Sequence, residues 1–433
     1  MSPLLRFDMY KAIKGTRDIL FDDAELFAKA ENLAREILEL YNYSEIRIPI
    51  FESTEVFSRG IGDETDIVMK EMYTFQSKSG KSITLRPEGT AGVVRAIIEH
   101  NLLKQNPILK LYYIGPMFRY EKPQAGRYRQ FYSIGWEAFG VMHPAMDAEI
   151  ISVIILYLER LGLKGLKVSL NSIGCRKCRP NFDKALVEFL GKRIDKSCDV
   201  CKDRLNKNPL RVFDCKEKDC VENYIGAPKP IDFLCEECSS HFEKLKDYLE
   251  DLKIQYVINH KLVRGLDYYT KTVFEVNCPE LGAQDAIVGG GRYDHLVETL
   301  GGPFTPSVGA SFGLDRVLAT VKLSEEKKIK KKTEETDYLP AITLFAIDDS
   351  ASDFIMSISN ILVKNNIKVI PYYDKRSMKS GLRVANTNKT LLVVFLGETE
   401  IKKGIICIKN MKDGSQIEVR IEDIVEIIIR LLK

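Results

Sequence analysis

Residues 118–131 read FRYEKPQAGRYRQF. They sit within residues 117–141, which read as two strands around a polar loop from Glu121 to Arg127, with Gly126 as the turn signal. Arginines on strands beside an aromatic and a carboxylate suit a polyphosphate nucleotide. Guanidinium forks grip phosphate oxygens, an aromatic ring can cover the base and a glutamate can hold an amine. Arg–Glu pairs are also common structural links in β-rich proteins, so this stretch does not decide the matter alone.

Further patches of the same character lie elsewhere in the chain: LRPEGT at 85–90, VRGLDYY at 263–269, GGGRYD at 289–294 and GASFGLDR at 309–316. Their glycines would let the backbone approach a ligand closely. Between them, residues 24–40 carry apolar side chains at helical spacing and predict an amphipathic helix. Residues 45–51, EIRIPIF, alternate and predict a strand. Pro49 cannot donate to a ladder, so that strand belongs at an edge or an interface. Further strands are predicted at 83–86, 109–114, 272–277 and 284–288, with helices at 146–161 and from near Leu314.

The chain has 433 residues, enough for two or three domains. With 45% hydrophobic and 29% charged residues it is neither mostly disordered nor collagen-like. The formal charge of +3 neither announces nor excludes a nucleic-acid partner, since a basic groove can be offset by acidic surface elsewhere. No apolar run follows a basic head at the start, and no run of about 18 apolar residues occurs, so a cytoplasmic location without membrane association is expected. SGKS at 79–82 resembles the end of a P-loop, but the first glycine of that motif would fall on Phe75. Gly289–Gly290–Gly291 lacks dinucleotide spacing, and the five histidines form no H-E-x-x-H pattern.

Eight of the ten cysteines lie between Cys175 and Cys238. Cys175/Cys178, Cys198/Cys201 and Cys235/Cys238 are C-x-x-C pairs, and Cys215 and Cys220 lie in the gap. In a reducing compartment such clustering points to metal ligation before disulfides. Eight thiolates could form one or two tetrahedral zinc sites. The alternative is a set of small buried thiols that pack an insertion.

Residues 322–338 are mostly charged and read as a solvated linker. Beyond them ITLFAI (342–347), KVIPYY (368–373), LLVVFLG (391–397) and GIICIKNM (404–411) alternate with helical stretches near 350–365, 377–388 and 421–432, an α/β pattern. The chain thus divides into a domain over 1–325 with an insertion at about 175–258, a linker at 326–338 and a domain over 339–433.

Taken together, the patches resemble a class II aminoacyl-tRNA synthetase, and within that class the bacterial-type histidyl-tRNA synthetases. Residues 24–51 are similar to class II motif 1, which builds the homodimer interface in the family. FRYEKPQAGRYRQF is similar to motif 2 and GASFGLDR to motif 3. LRPEGT, VRGLDYYTKTVFE (263–275) and GGGRYD are what point to histidine. The resemblance covers nearly the whole chain. It implies an α+β catalytic domain with an antiparallel sheet, a mostly helical Cys-rich insertion and a C-terminal α/β anticodon-binding domain. The implied partners are L-histidine, ATP with Mg2+, tRNA(His) and a second copy of the chain.

The resemblance also implies roles. Arg119 and Arg264 would be the catalytic arginines on either side of the α-phosphate. Glu121 would meet the adenine amine, Phe131 would stack on the ring and Arg316 would bind the γ-phosphate. Glu88, Gly89, Thr90, Ser133, Glu137, Tyr268 and Tyr269 would form the histidine pocket, Glu137 and Tyr269 addressing the ring nitrogens and Glu88 and Thr90 the ammonium. Lys122 and Gln124 would face the acceptor end of the tRNA. Ser133 stands where the family commonly has Gln, Lys122 where Arg is common, and His295 where Gly is usual. Trp136 replaces a small residue. Residues 380–386, SGLRVAN, match the family's basic helix only loosely. The rival reading is a catalytically silent, histidine-sensing paralogue. Such proteins typically lose the second arginine and the C-terminal domain, and this chain keeps both.

Overall fold

The computed structural model describes residues 10–62, 65–123, 126–279, 286–329, 339–373 and 375–432. They form two compact units, Met1–Ile329 and Lys330–Lys433.

Among the described residues the first unit has eleven strands: β1 (Ser44–Glu45), β2 (Phe51–Ser53), β3 (Tyr73–Gln76), β4 (Ser82–Leu85), β5 (Leu109–Phe118), β6 (Gln130–Phe139), β7 (Lys167–Ser172), β8 (Tyr256–Ile258), β9 (Thr270–Asn277), β10 (Ala286–Arg292) and β11 (Ser307–Gly313). Eight of them make one sheet in the order β1-β5-β6-β11-β10-β9-β7-β8. Its interior pairings are antiparallel, and only the outermost pairs, β1/β5 and β7/β8, are parallel. A small second sheet runs β2-β4-β3.

Period-two alternation sorts the large sheet into two faces. Ile134, Trp136 and Ala138 of β6, with Val308, Ala310 and Phe312 of β11, enter one core together with the helices Phe21–Leu40 and Ala145–Arg160. Trp136 is therefore a core residue, edge-on to Phe312 at 6.0 Å. The intervening residues Ser133, Gly135 and Glu137, opposite Gly313, Ser311 and Gly309, point to the other face. That face carries the polar chemistry.

The predicted strand over 45–51 is divided in the structure. Its first part is the edge strand β1, and after Pro49 the chain moves to the small sheet as β2. The break leaves carbonyls without a ladder, and Arg86 collects them. Its Nη1 donates to Ile48 O at 2.7 Å and lies 3.4 Å from Pro49 O, while its Nε donates to Pro116 O of β5 at 2.8 Å and ties the break to the large sheet. Arg86 of LRPEGT is thus a structural staple.

The Cys-rich segment is mainly helical, with helices Arg179–Gly191, Asp199–Lys207, Lys218–Asn223 and Glu236–Asp251. The charged run that begins at 322 is not all linker. Helix Leu314–Ile329 continues through its first part, because Glu and Lys are good helix formers when a buried stretch has nucleated the turn. Residues 330–338 lie outside the described residues.

The second unit adds β12 (Leu339–Ala346), β13 (Val369–Tyr372), β14 (Thr390–Leu396), β15 (Ile405–Asn410) and β16 (Gln416–Arg420), ordered β13-β12-β14-β15-β16. The first three strands are parallel and the last two pairings antiparallel. Asp348 caps helix Asp349–Lys364 and Ser377 caps helix Met378–Thr387. Gly381, in SGLRVAN, lets the latter helix lie on Phe345, whose ring is 2.1 Å from where a Cβ would stand.

No helix among the described residues is long and apolar enough to cross a membrane.

Candidate active site

A cavity of about 290 Å³ opens on the polar face of the large sheet. Arg119 follows β5 directly. Its backbone N–H extends the β5–β6 ladder by one bond to Arg129 O, 2.9 Å. Its Nε donates to Pro87 O at 2.8 Å, and its guanidinium lies 5.5 Å from the centre of the Phe131 ring. Motif-like segments 85–90 and 118–131 are therefore joined through this one side chain. Glu121 stands 3.8 Å from Arg119 Nη1 and 3.9 Å from Arg127 Nη1.

Arg264 reaches the same cavity from the loop before β9. It is ion-paired with Glu275 of β9. Burial opposes its charge most strongly, but Glu275, Tyr269 and Tyr268 together more than offset that, so the guanidinium stays cationic. Room for it comes from Gly289 of β10, where a Cβ would stand 2.1 Å from Arg264 Nη2. Arg316, in the first turn after β11, and Asp315 complete this wall. Asp315 accepts from Arg17 Nη2 and from the Tyr132 N–H, each at 2.8 Å, and so ties the N-terminal segment to β6.

Glu88, Gly89 and Ser133 also line the cavity. Glu88 caps helix Thr90–Glu99, its two oxygens accepting from the N–H groups of Thr90 at 2.6 Å and Ala91 at 2.9 Å. Burial pushes its carboxyl up despite those bonds. Ser133 donates to Phe312 O at 3.0 Å.

Thr90, Glu137, Tyr268 and Tyr269 are not on the cavity wall. They form a linked cluster with Tyr293. Glu137, 1% exposed, accepts from the Thr90 hydroxyl at 2.7 Å through one oxygen and from the Tyr293 hydroxyl through the other. The Tyr268 ring lies 4.7 Å from Tyr269 and 5.5 Å from Tyr293. Burial pushes the Glu137 carboxyl up to about 8, against the pull of the Tyr293 and Thr90 hydrogen bonds, with Glu88 adding to the rise. At neutral pH this carboxyl is mostly protonated.

Lys122 is exposed in the β5–β6 connection, and Gln124 lies outside the described residues. The eight clustered cysteines fall into two groups of four, each close enough in space to hold a metal ion. Arg292 of GGGRYD is not at the cavity. It is fully buried and pairs with Asp147 at 2.7 Å and with Asp294 at 3.2 Å, anchoring β10 to helix Ala145–Arg160.

A sequence profile described as histidyl-tRNA synthetase matches residues 15–177 and 233–317. The histidine–tRNA ligase of Thermodesulfovibrio yellowstonii is 47% identical over 97% of this chain and 98% of its own. The chain belongs to the histidyl-tRNA synthetase family. The histidine–tRNA ligase of Desulfitobacterium hafniense is likewise 47% identical, over 96% of both chains. The crystal structure of apo histidyl-tRNA synthetase from S. aureus, 35% identical, superposes with a TM-score of 0.80 over 98% of this chain and 100% of that one. An anticodon-binding-domain profile matches residues 340–431, which lie in the second unit. The gap in the synthetase profile, between 177 and 233, falls in the Cys-rich segment.

Among the residues of this cavity and cluster to which sequence reasoning gave no role are Arg127, Glu275, Tyr293 and Asp315. Tyr293 and Glu275 stand inside stretches already marked, GGGRYD and VRGLDYYTKTVFE. Only the fold shows that Glu275 pairs with Arg264 of the preceding loop and that Tyr293 faces Glu137.

Proposed function

We propose that the protein ligates L-histidine to tRNA(His) in two steps that share the cavity. In the first, the histidine carboxylate attacks the α-phosphorus of ATP, the bond to the bridging oxygen breaks, and pyrophosphate leaves with that electron pair. In the second, a ribose hydroxyl at the tRNA 3′ end attacks the adenylate carbonyl and AMP leaves. Both steps gather negative charge around one phosphorus, so positioned cations are the chief catalytic resource. The observation that carries the proposal is that Arg119 and Arg264, from distant parts of the chain, line one cavity.

In this reading Arg119 and Arg264 clasp the α-phosphate, and Arg316 takes the γ-phosphate. Phe131, already beneath Arg119, stacks on adenine, and Glu121 accepts from its amine. Magnesium enters with ATP. Glu121 and Glu275 are carboxylates on the cavity wall, and both are occupied by arginines. The phosphates would therefore supply much of the metal's coordination.

Glu137 and Tyr269 read the imidazole, one ring nitrogen donating and the other accepting. A protonated Glu137 can donate to the accepting nitrogen. Glu88, Thr90 and Ser133 surround the ammonium, Glu88 through the remaining lone pairs of its capping oxygens. Buried partners of this kind reject side chains that leave them unpaired, by roughly 10⁴-fold or more, so no editing site is required. Lys122 and Gln124 are assigned to the acceptor end, the second unit to the anticodon, and the reaction to the cytoplasm.

The homodimer is proposed from motif 1. Leu40, Ile50 and Phe51, at the ends of its helix and strands, are exposed apolar side chains that a second subunit would cover. Light scattering at the dimer mass is expected, and a monomer would remove this part.

The test of the activity is histidine-dependent exchange of labelled pyrophosphate into ATP. Exchange with histidine and none with other amino acids is expected. No exchange would leave the silent histidine-sensing reading in its place.

A further inference from the structure

We infer that the insertion holds two zinc ions, one among Cys175, Cys178, Cys235 and Cys238 and one among Cys198, Cys201, Cys215 and Cys220, and that the second positions Arg264 through Arg211. The positioning half rests on the synthetase reading of Arg264, and the zinc half does not.

Within each group the four sulfur atoms lie within 4.8 Å of one another. Cys175 and Cys178 are 3.7 Å apart, Cys175 and Cys235 3.9 Å, and Cys198 and Cys215 3.9 Å. A zinc–sulfur bond of about 2.3 Å in a tetrahedron places the sulfurs about 3.8 Å apart. All eight cysteines are free, and these separations are far beyond the roughly 2 Å of a disulfide.

Both groups use one local device. Cys198 and Cys235 stand at the N-caps of helices Asp199–Lys207 and Glu236–Asp251, and Cys201 and Cys238 follow in the first turn, buried. The Cys198 N–H points at Cys220 Sγ, 3.2 Å, and the Cys235 N–H at Cys178 Sγ, 3.1 Å. Backbone donors aimed at sulfur favour thiolates, the form that binds metal. Simple packing of small thiols accounts for burial but not for four converging sulfurs with donors aimed at them. Four soft ligands in a closed tetrahedron, with no oxygen or nitrogen donor, suit a structural zinc.

The second group frames a segment that touches the active-site loop. Cys201 and Cys215 pin the two ends of residues 202–214. That segment carries Arg204 and, in the turn Pro209–Asp214, the buried Arg211. Arg211 Nη1 donates to the backbone carbonyl of Arg264 at 3.1 Å, and Arg211 Nε lies 3.3 Å from Asp214. Arg204 donates to Arg211 O at 3.3 Å and to Asp66 at 3.0 Å. The backbone that presents Arg264 is thus held by a side chain whose own loop is closed by the cysteines.

The test begins with the full-length chain purified under reducing conditions without chelator. Two zinc ions per chain are expected. The double variants Cys198→Ser/Cys201→Ser and Cys235→Ser/Cys238→Ser should each retain one. Protein loaded with cobalt should show tetrahedral tetrathiolate absorption, halved in each variant. Fewer than two metal ions in the wild type, iron in place of zinc, or loss of all metal from either variant would overturn the assignment. Should the variants not fold, stepwise mercurial titration of the wild type gives the same answer: four thiols consumed per zinc released.

For the positioning half, Arg211→Met should keep two zinc ions and lower kcat of histidine-dependent exchange roughly 10–100-fold, with the KM for ATP nearly unmoved. Arg211→Lys should recover part of the loss. An unchanged kcat in Arg211→Met would remove that half. Two zinc ions with no exchange in the wild type would support the metal sites while removing the synthetase reading and the positioning role together.

Discussion

Glu137→Gln should make the protein more stable and less active, and the stability gain should depend on pH. An ordinary glutamate titrates near 4.5, whereas burial holds Glu137 at about 8. The folded state therefore favours the neutral carboxyl. Below pH 4.5 the group is neutral in both states and costs nothing. As pH rises from 4.5 to 8 the unfolded chain gains by ionising and the folded chain does not, so stability falls. The loss is about 1 kcal/mol at pH 5, about 3 at pH 7 and about 5 well above pH 8. Glutamine has nearly the same shape and does not titrate, so it escapes this loss. It carries an offset, because its amide faces either Thr90 or Tyr293, whose hydroxyl must then accept instead of donate. That costs about 1 kcal/mol and does not vary with pH over this range. The net expectation is no gain at pH 5 and about 2 kcal/mol at pH 7. Trp136, the only tryptophan and buried beside Glu137, gives a fluorescence signal for urea unfolding of this unit alone. In the same variant, kcat/KM for histidine should fall by about 10²-fold or more, since a reader of the imidazole is altered. A gain that stays flat between pH 5 and 8, or a variant less stable at pH 8, would refute the claim that this carboxyl is held neutral.

Arg264→Ala should lower histidine-dependent exchange by roughly 10³-fold, the order expected for losing a charge aimed at the transition state, with Trp136 fluorescence unchanged. Gly289→Ala should act on the same arginine from the neighbouring strand. Its new Cβ would fall 2.1 Å from Arg264 Nη2. The guanidinium is the end of a flexible side chain and can give way, so folding is kept while exchange drops by about 10²-fold. Arg292→Ala leaves Asp147 buried without its main partner and should cost about 3–5 kcal/mol in urea unfolding.

The architecture was legible where a pattern has one physical meaning. The strands read at 109–114 and at the start of 117–141 run together as β5, the second strand of 117–141 is β6, the helical spacing of 24–40 gave a helix that runs Phe21–Leu40, and the strand–helix rhythm after 340 gave the second unit. It was less legible where tertiary partners decide. Residues 45–51 alternate without a break, yet Pro49 divides them, because Arg86 is present to take the freed carbonyls. The charged run at 322 looked solvated throughout, yet its first part is the last turns of a helix. At the site, the arginines Arg119, Arg264 and Arg316 were marked from the sequence, and the structure brings them to one cavity. Their supports were not so marked. Glu275 meets an arginine from the loop ahead of its own strand and Tyr293 reaches Glu137 of β6 past β11, and neither contact can be read from one strand. Ser133, assigned by resemblance to the ammonium, is already bound to Phe312 O, a contact that depends on the β6–β11 register.

GGGRYD shows how a motif marked for one reason can carry another in the structure. Its glycines suggested a backbone that a ligand approaches. In the structure the missing Cβ atoms make room for the protein itself. Gly289 seats the Arg264 guanidinium, Gly290 lies against the Phe274 ring and Gly309 O, and Gly291 seats Tyr269. The next three residues fix that strand in place. Arg292 is locked to Asp147, Tyr293 donates to Glu137, and Asp294 accepts from Arg292 and from the Ser307 N–H at 3.0 Å. One six-residue stretch therefore sets the position of the arginine proposed for the α-phosphate and of both groups proposed to read the imidazole. A displacement of β10 along its own axis would move all three together. Chemistry and side-chain recognition are coupled here by a shared strand, so a substitution that shifts the register of β10 should lower activity and specificity in the same step, whereas one confined to Arg264 or to Glu137 should separate them.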